Sequence, residues 1–127
     1  MPDVDLWLLA HLGREGPDWL RAYLLTLALE VPLAALLLGR WLPSWPRRLG
    51  LCTLANTLTH PTLWFVLPRF SPMALWLVLA EGWVFATEAA IFAWAVRDHG
   101  AKARRGAALT AVVANGASWL FGALLLW

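Results

Sequence analysis

Residues 72–96 read PMALWLVLAEGWVFATEAAIFAWAV. The run is longer than the about 20 apolar residues that cross a bilayer as a helix, yet it keeps two ionisable groups, Glu81 and Glu88. A charge at the bilayer centre costs roughly 2.5–3.5 kcal/mol on insertion scales. Both carboxylates must therefore turn away from lipid. Seven residues apart, they lie two turns along a single helix face. This stretch alone predicts a helix bundle with a polar interior.

Working outward, three more apolar stretches are long enough to span: Trp19–Gly39, Leu49–Leu67 and Gly106–Trp127. The chain is thus expected to be an all-α integral membrane bundle of four transmembrane helices, a single domain over residues 1–127. Composition agrees. At 61% hydrophobic and 14% charged, the chain is far more apolar than a soluble domain. The connections are short and heavily punctuated. Arg40-Trp41-Leu42-Pro43-Ser44-Trp45-Pro46-Arg47-Arg48 stops the first helix, because proline lacks the amide donor. Pro68-Arg69-Phe70-Ser71-Pro72 forms a hairpin, and Arg97–Arg105 a third turn with Gly100 as a helix C-terminal residue. Such connections set successive helices antiparallel, in an up-down bundle.

Basic residues set the orientation. Arg40, Arg47, Arg48, Arg97, Lys102, Arg104 and Arg105 fall in loops one and three, against Arg14, Arg21 and Arg69 opposite. Seven against three places loops one and three in the cytoplasm and both termini outside, in a bacterial inner membrane. Acidic Asp3 and Asp5 replace the basic start of a cleaved signal peptide. Val4–Leu12 reads as a short interfacial helix, with Leu6, Leu9 and Trp7 toward lipid, broken by Gly13, Gly16 and Pro17. A net charge of +2 without a basic run argues against nucleic acid as a partner, and the lone Cys52 reads as a buried small side chain.

The other helices carry matching polar groups at depth. Glu30, His60 and Asn115 fall near the midplane, Glu81 roughly 5 Å toward the outside, and Glu88 a similar distance inward, near Asn56. Asn56, His60 and Trp64 recur every four residues on one face; Asn115, Ser118 and Gly122 form another stripe. Each has a plain structural reading. Glu30 and His60 lie beside Pro32 and Pro61, where freed carbonyls need partners, and the asparagines can serve as interhelical hydrogen-bond glue. Taken together, the six make a proton- or cation-binding site. The ten tryptophans mostly sit at span ends, as an aromatic belt does, while Trp64, Trp83 and Trp119 are deeper.

Three functions fit this pattern. In a transport role the glutamates would bind a proton or cation, with a relay from Glu81 through Glu30 and His60 to Glu88. In a membrane-embedded metalloenzyme His60, Glu81, Glu88 and Glu30 would hold a divalent metal such as Mn, Fe or Zn, although no His-Glu-x-x-His, Cys-x-x-Cys or Glu-x-x-His spacing is present. In a non-catalytic subunit, Gly116, Gly122 and Ala123 would mark a partner helix. The sequence leaves open whether the chain is an enzyme, but shows no nucleophile-and-base pair, phosphate loop or dinucleotide fingerprint. So few helices enclose no wide pore, which points to a homodimer or larger assembly.

Two resemblances attach to these residues. Four short spans with Glu30 centred in the first look like the small multidrug-resistance transporters, in which such a glutamate exchanges protons for cationic drugs. The extra carboxylates, His60 and the strong charge bias depart from that pattern. Glu30-Val31-Pro32, then Asn56-Thr57-Leu58-Thr59-His60-Pro61, then Glu81 and Glu88, is similar to a group of small, uncharacterised bacterial membrane proteins. That likeness implies that these positions form one site and implies no activity.

Overall fold

A computed structural model describes residues 4–126, with side chains described for residues 16–125. Among the described residues the protein is all helical: α1 (Val4–Leu38), α2 (Trp45–Pro61), α3 (Met73–Ala95) and α4 (Ala101–Leu126). A π-helical turn, Thr62–Val66, extends α2, and a 3₁₀ turn, Arg97–His99, precedes Gly100. Gly100 ends that turn at φ 91°, a left-handed conformation suited to glycine. The reversal lets α4 begin at Ala101 rather than near Gly106, so Lys102, Arg104 and Arg105 belong to the start of a helix and not to a loop.

Among the described residues three helical segments are long and apolar enough to cross a membrane: Gly16–Leu38, Met73–Ala95 and Ala101–Leu125. The α2 helix is shorter, at 17 residues, and more polar. Its polar side chains largely serve its own backbone. Asn56 Nδ2 donates to the Cys52 carbonyl (3.0 Å), the Thr57 and Thr62 hydroxyls donate to carbonyls four residues back (2.7 and 2.6 Å), and the Thr59 hydroxyl lies 3.0 Å from the Ala55 carbonyl.

The break expected at Gly13, Gly16 and Pro17 does not occur: α1 is continuous from Val4. A proline normally expels the preceding residue from the helical region by colliding with its Cβ. Gly16 has no Cβ and escapes that clash, yet α1 also runs through Pro32, which follows the branched Val31, so a preceding glycine is not required for continuity. The lipid-facing placement of Leu6, Trp7 and Leu9 and the belt position of Trp127 concern side chains outside the described residues.

The helices pack in ring order. α4 lies closely against both α1 and α3, whereas α2 leans on α1 and touches α3 more lightly. At the end carrying the 40–48 and 97–100 connections the interior is a tight apolar seam. Ala103, Ala107, Ala111 and Ala114 of α4 meet Val31, Ala34, Ala35 and Leu38 of α1, with Phe92 and Val96 of α3 alongside. Small side chains let the backbones approach, the dominant packing mode where lipid removes any hydrophobic drive between helices. Gly106 is part of that closeness: a Cβ there would lie 2.4 Å from the Trp41 indole.

Arg48 plugs the same end. It is buried, and its guanidinium donates to the carbonyls of Ala35 (2.7 Å) and Pro43 (3.4 Å) while lying 4.0 Å from the Trp45 ring centroid. Ala35 is in the last turn of α1, where carbonyls lack intrahelical partners and the helix dipole favours a cation. Gly39 leaves the space that the guanidinium occupies. The sequence reading counted Arg48 as a free loop charge. It is a helix cap folded into the core.

Candidate functional site

Beyond the alanine seam the bundle opens. A cavity of about 700 Å³ runs from Asp18 and Arg21, near one end of the bundle, down to Glu30, Glu88 and Asn115. All six of the polar residues singled out by spacing, Glu30, Asn56, His60, Glu81, Glu88 and Asn115, line it. The stripes read from the sequence are those that face inward: Asn56 and His60 from α2 with Trp64 from its π-helical extension, Glu81 and Glu88 from α3, Asn115, Ser118 and Gly122 from α4. Each stripe repeats at three, four or seven residues, so one helix face presents all its members to the same space.

The floor holds the densest chemistry. Glu88 is fully buried and Glu30 is 2% exposed. Both Glu88 oxygens accept a hydrogen bond: Oε1 from the Thr59 hydroxyl (2.7 Å) and Oε2 from Asn115 Nδ2 (2.6 Å). Asn115 Nδ2 also reaches the Ala111 carbonyl (2.9 Å). Glu30 Oε2 accepts from the Ser118 hydroxyl (2.9 Å), while Oε1 is buried without a hydrogen bond of good geometry. The Glu30 and Glu88 carboxyl groups face each other closely enough to interact directly, with Asn56 beside them. Helices α1, α2, α3 and α4 thus each contribute to a single polar knot.

Glu30 does not serve the backbone freed by Pro32. Its carboxyl crosses to α4. Asn115 does act as interhelical glue, but what it joins α4 to is the Glu88 carboxylate. Thr59 and Ser118 complete the knot. Thr59 is not marked by the sequence because threonine at membrane depth ordinarily bonds its own helix; here its single proton has the shorter path to Glu88 (2.7 Å) than to the Ala55 carbonyl (3.0 Å).

His60 stands apart from the pair. Its Nε2 lies 3.4 Å from Thr26 Oγ1, its ring lies against Tyr23 and Trp64, and Nδ1 is buried without a partner. Tyr23 in turn bonds Thr57 (2.7 Å), so these contacts tie α1 to α2 above the floor. Glu81 is half-buried on the upper wall. Among the described residues no three His, Cys, Asp or Glu side chains converge closely enough to share a metal ion. The expected set of His60, Glu81, Glu88 and Glu30 is therefore spread over the cavity rather than gathered, because histidine and the glutamate pair sit on different levels of it. The four residues of the expected relay, Glu81, Glu30, His60 and Glu88, all line this cavity. Below Glu30 and Glu88 lie the alanine seam and Phe92.

The deeper tryptophans divide. Trp64 and Trp119 line the cavity, whereas Trp83 does not. Trp76, expected as a belt residue, is buried and donates from Nε1 to the Pro68 carbonyl (2.9 Å), closing the hairpin before α3. Trp19 stacks on Tyr23 and meets Phe65 edge-on, joining α1 to the π-helical turn. No protein-family model, curated protein or solved structure matches the chain.

Proposed function

We propose that this chain is a small four-span membrane protein in which Glu30 and Glu88 bind and exchange a proton or small cation, in a transport-type role. The observation that carries the reading is the floor of the cavity: two buried carboxyl groups face each other, held by three donors from two helices, α2 and α4. Two adjacent carboxylates cannot both keep full charge in a dry site without a compensating positive charge. A proton or a cation supplies it. The surrounding hydroxyl and amide donors stabilise whichever oxygen is left negative.

In this reading α2 and its π-helical extension form the fourth span, tolerated in lipid because its threonines and asparagine bond their own carbonyls. The excess of basic residues puts the 40–48 and 97–105 regions in the cytoplasm of a bacterial cell and the cavity mouth outside. Passage to the other side then requires the alanine seam and the Arg48 plug to part, so transport involves a second conformation of the bundle. A cavity of this size also has room for a small-molecule solute, which a bare metal site would not need.

The test is flux in liposomes. Purified protein is reconstituted around a pH-sensitive dye, and an imposed membrane potential drives ions inward. Wild-type vesicles should acidify, or accumulate the driven cation, faster than empty ones. Glu30→Gln and Glu88→Gln should incorporate equally and reduce the rate to background. Flux that survives in both variants, or a wild type no faster than empty vesicles for protons, sodium and potassium, would refute the reading.

A further inference from the structure

The cavity is not the only concavity on the molecule. Because α2 touches α3 only lightly, a groove of about 660 Å³ is left on the outer surface between them. Its α2 wall is Leu51, Leu54 and Leu58; its α3 wall includes Ala86, Ala90, Ile91 and Trp94. Thr87 is the one polar lining residue. A shallow, open groove with leucines along one side and Ala86, Ala90, Ile91 and Trp94 along the other suits a narrow, flexible apolar chain lying along the surface.

Both walls end in arginine, at the same end. Arg47, Leu51, Leu54 and Leu58 follow the i, i+4, i+7, i+11 spacing of a single helix face, and Arg47 is exposed. The stretch spans about 16 Å at 1.5 Å per residue. On α3 the groove closes at Trp94, and Arg97 lies over that indole (4.2 Å to the ring centroid) while donating to the Trp94 carbonyl (3.0 Å). The α2 helix starts where α3 finishes, so the two arginines flank one mouth. Among the described residues no carboxylate pairs with Arg47 or Arg97. Arginine matches phosphate geometry, and an indole beside it suits the headgroup layer.

We infer that this groove binds an anionic phospholipid, its acyl chain lying along Leu51, Leu54 and Leu58 and its phosphate meeting Arg47 and Arg97. The inference rests on α2 and α3 both lying in the membrane, and is independent of what Glu30 and Glu88 do.

Native mass spectrometry of the detergent-solubilised full chain tests it, with palmitoyl-oleoyl phosphatidylglycerol titrated against palmitoyl-oleoyl phosphatidylcholine. The wild type should retain the anionic lipid in preference. Neutralising both exposed arginines in R47Q/R97Q should cut that preference roughly 25-fold, from about fivefold per basic residue at an anionic headgroup. R47K/R97K should keep most of it. K102Q/R104Q/R105Q, which removes charge away from the groove, should leave it intact. Ala90→Phe, filling the groove, should weaken both lipids. Equal retention of the two lipids by the wild type overturns the site. So does a preference that follows the triple variant instead of R47Q/R97Q. An Ala90→Phe variant that turns a dimer into a monomer with unchanged lipid binding would assign the groove to a second copy and also overturn it.

Discussion

Glu88 accepts two hydrogen bonds, from Thr59 and Asn115, while Glu30 accepts one from Ser118 and leaves an oxygen unsatisfied. That asymmetry separates their roles: Glu88 is the fixed member of the pair and Glu30 the one with capacity to spare. Losing a buried donor to a charged acceptor costs on the order of 1–3 kcal/mol. Thr59→Val should therefore lower flux about ten- to a hundredfold at unchanged incorporation, whereas Thr57→Val, on the exposed side of the same helix, should change it little. His60→Ala should lower the rate without abolishing it, since the imidazole bonds Thr26 and not the pair. Arg48 belongs to stability. Arg48→Ala would strip the α1 terminus of its cap and should cost about 2–3 kcal/mol, read as a lower melting temperature in detergent. Arg48→Lys should rescue only part of this, because an ammonium cannot reproduce the planar fork that reaches two carbonyls. Charge and spacing marked Glu30, Glu88, Asn56 and Asn115 in the sequence. Ser118 was legible only as part of a small-residue stripe, and Arg48 not at all, because nothing local shows that a loop arginine will fold back thirteen residues to Ala35.

Among the elements, α4 carries two opposite kinds of surface on one face. Ala103, Ala107, Ala111 and Ala114 seal the bundle; Asn115, Ser118 and Gly122, continuing the line, open it. Gly106 sets how close the sealed half can come, so Gly106→Ala should force the Trp41 indole aside and cost roughly 1–3 kcal/mol in detergent stability. Gly122, with open space around it, should take alanine at no cost. α3 and α4 are apolar nearly all round, and their inward faces followed from the spacing of a few polar or small residues, Glu81 and Glu88 on one and Asn115, Ser118 and Gly122 on the other. Helix ends were less legible. α4 starts earlier than its apolar run because the first turn needs only Gly100 to reverse the chain, and α1 runs through both Pro17 and Pro32. Neither effect leaves a hydropathy trace.

At the scale of the whole molecule, the sealed and open halves make the cavity one-sided. In a Cys52→Ala background, Gly122→Cys should react with a membrane-impermeant maleimide from the side of the cavity mouth only. Ala107→Cys, in the seam, should resist reagent from either side. Labelling of position 122 from the opposite face would mean that the cavity passes through the bundle. Four helices were readable from composition and loop punctuation; among the described residues three of them are long and apolar enough to cross a membrane, and α2 is not. The likeness of the cavity-lining residues to one connected site was also readable. Its shape was not, because whether polar stripes meet at one level or several depends on helix offsets that spacing within each helix does not encode. The spread of His60 above the glutamate pair is the clearest instance.

The central claim is that Glu30 and Glu88 act as one unit. Infrared difference spectroscopy of the protein in nanodiscs, stepped in pH, reads the carboxyl stretch directly. The account predicts a band that both Glu30→Gln and Glu88→Gln remove or shift, since each carboxyl feels the other. Two independent bands, each lost only in its own variant and untouched in the other, would contradict it.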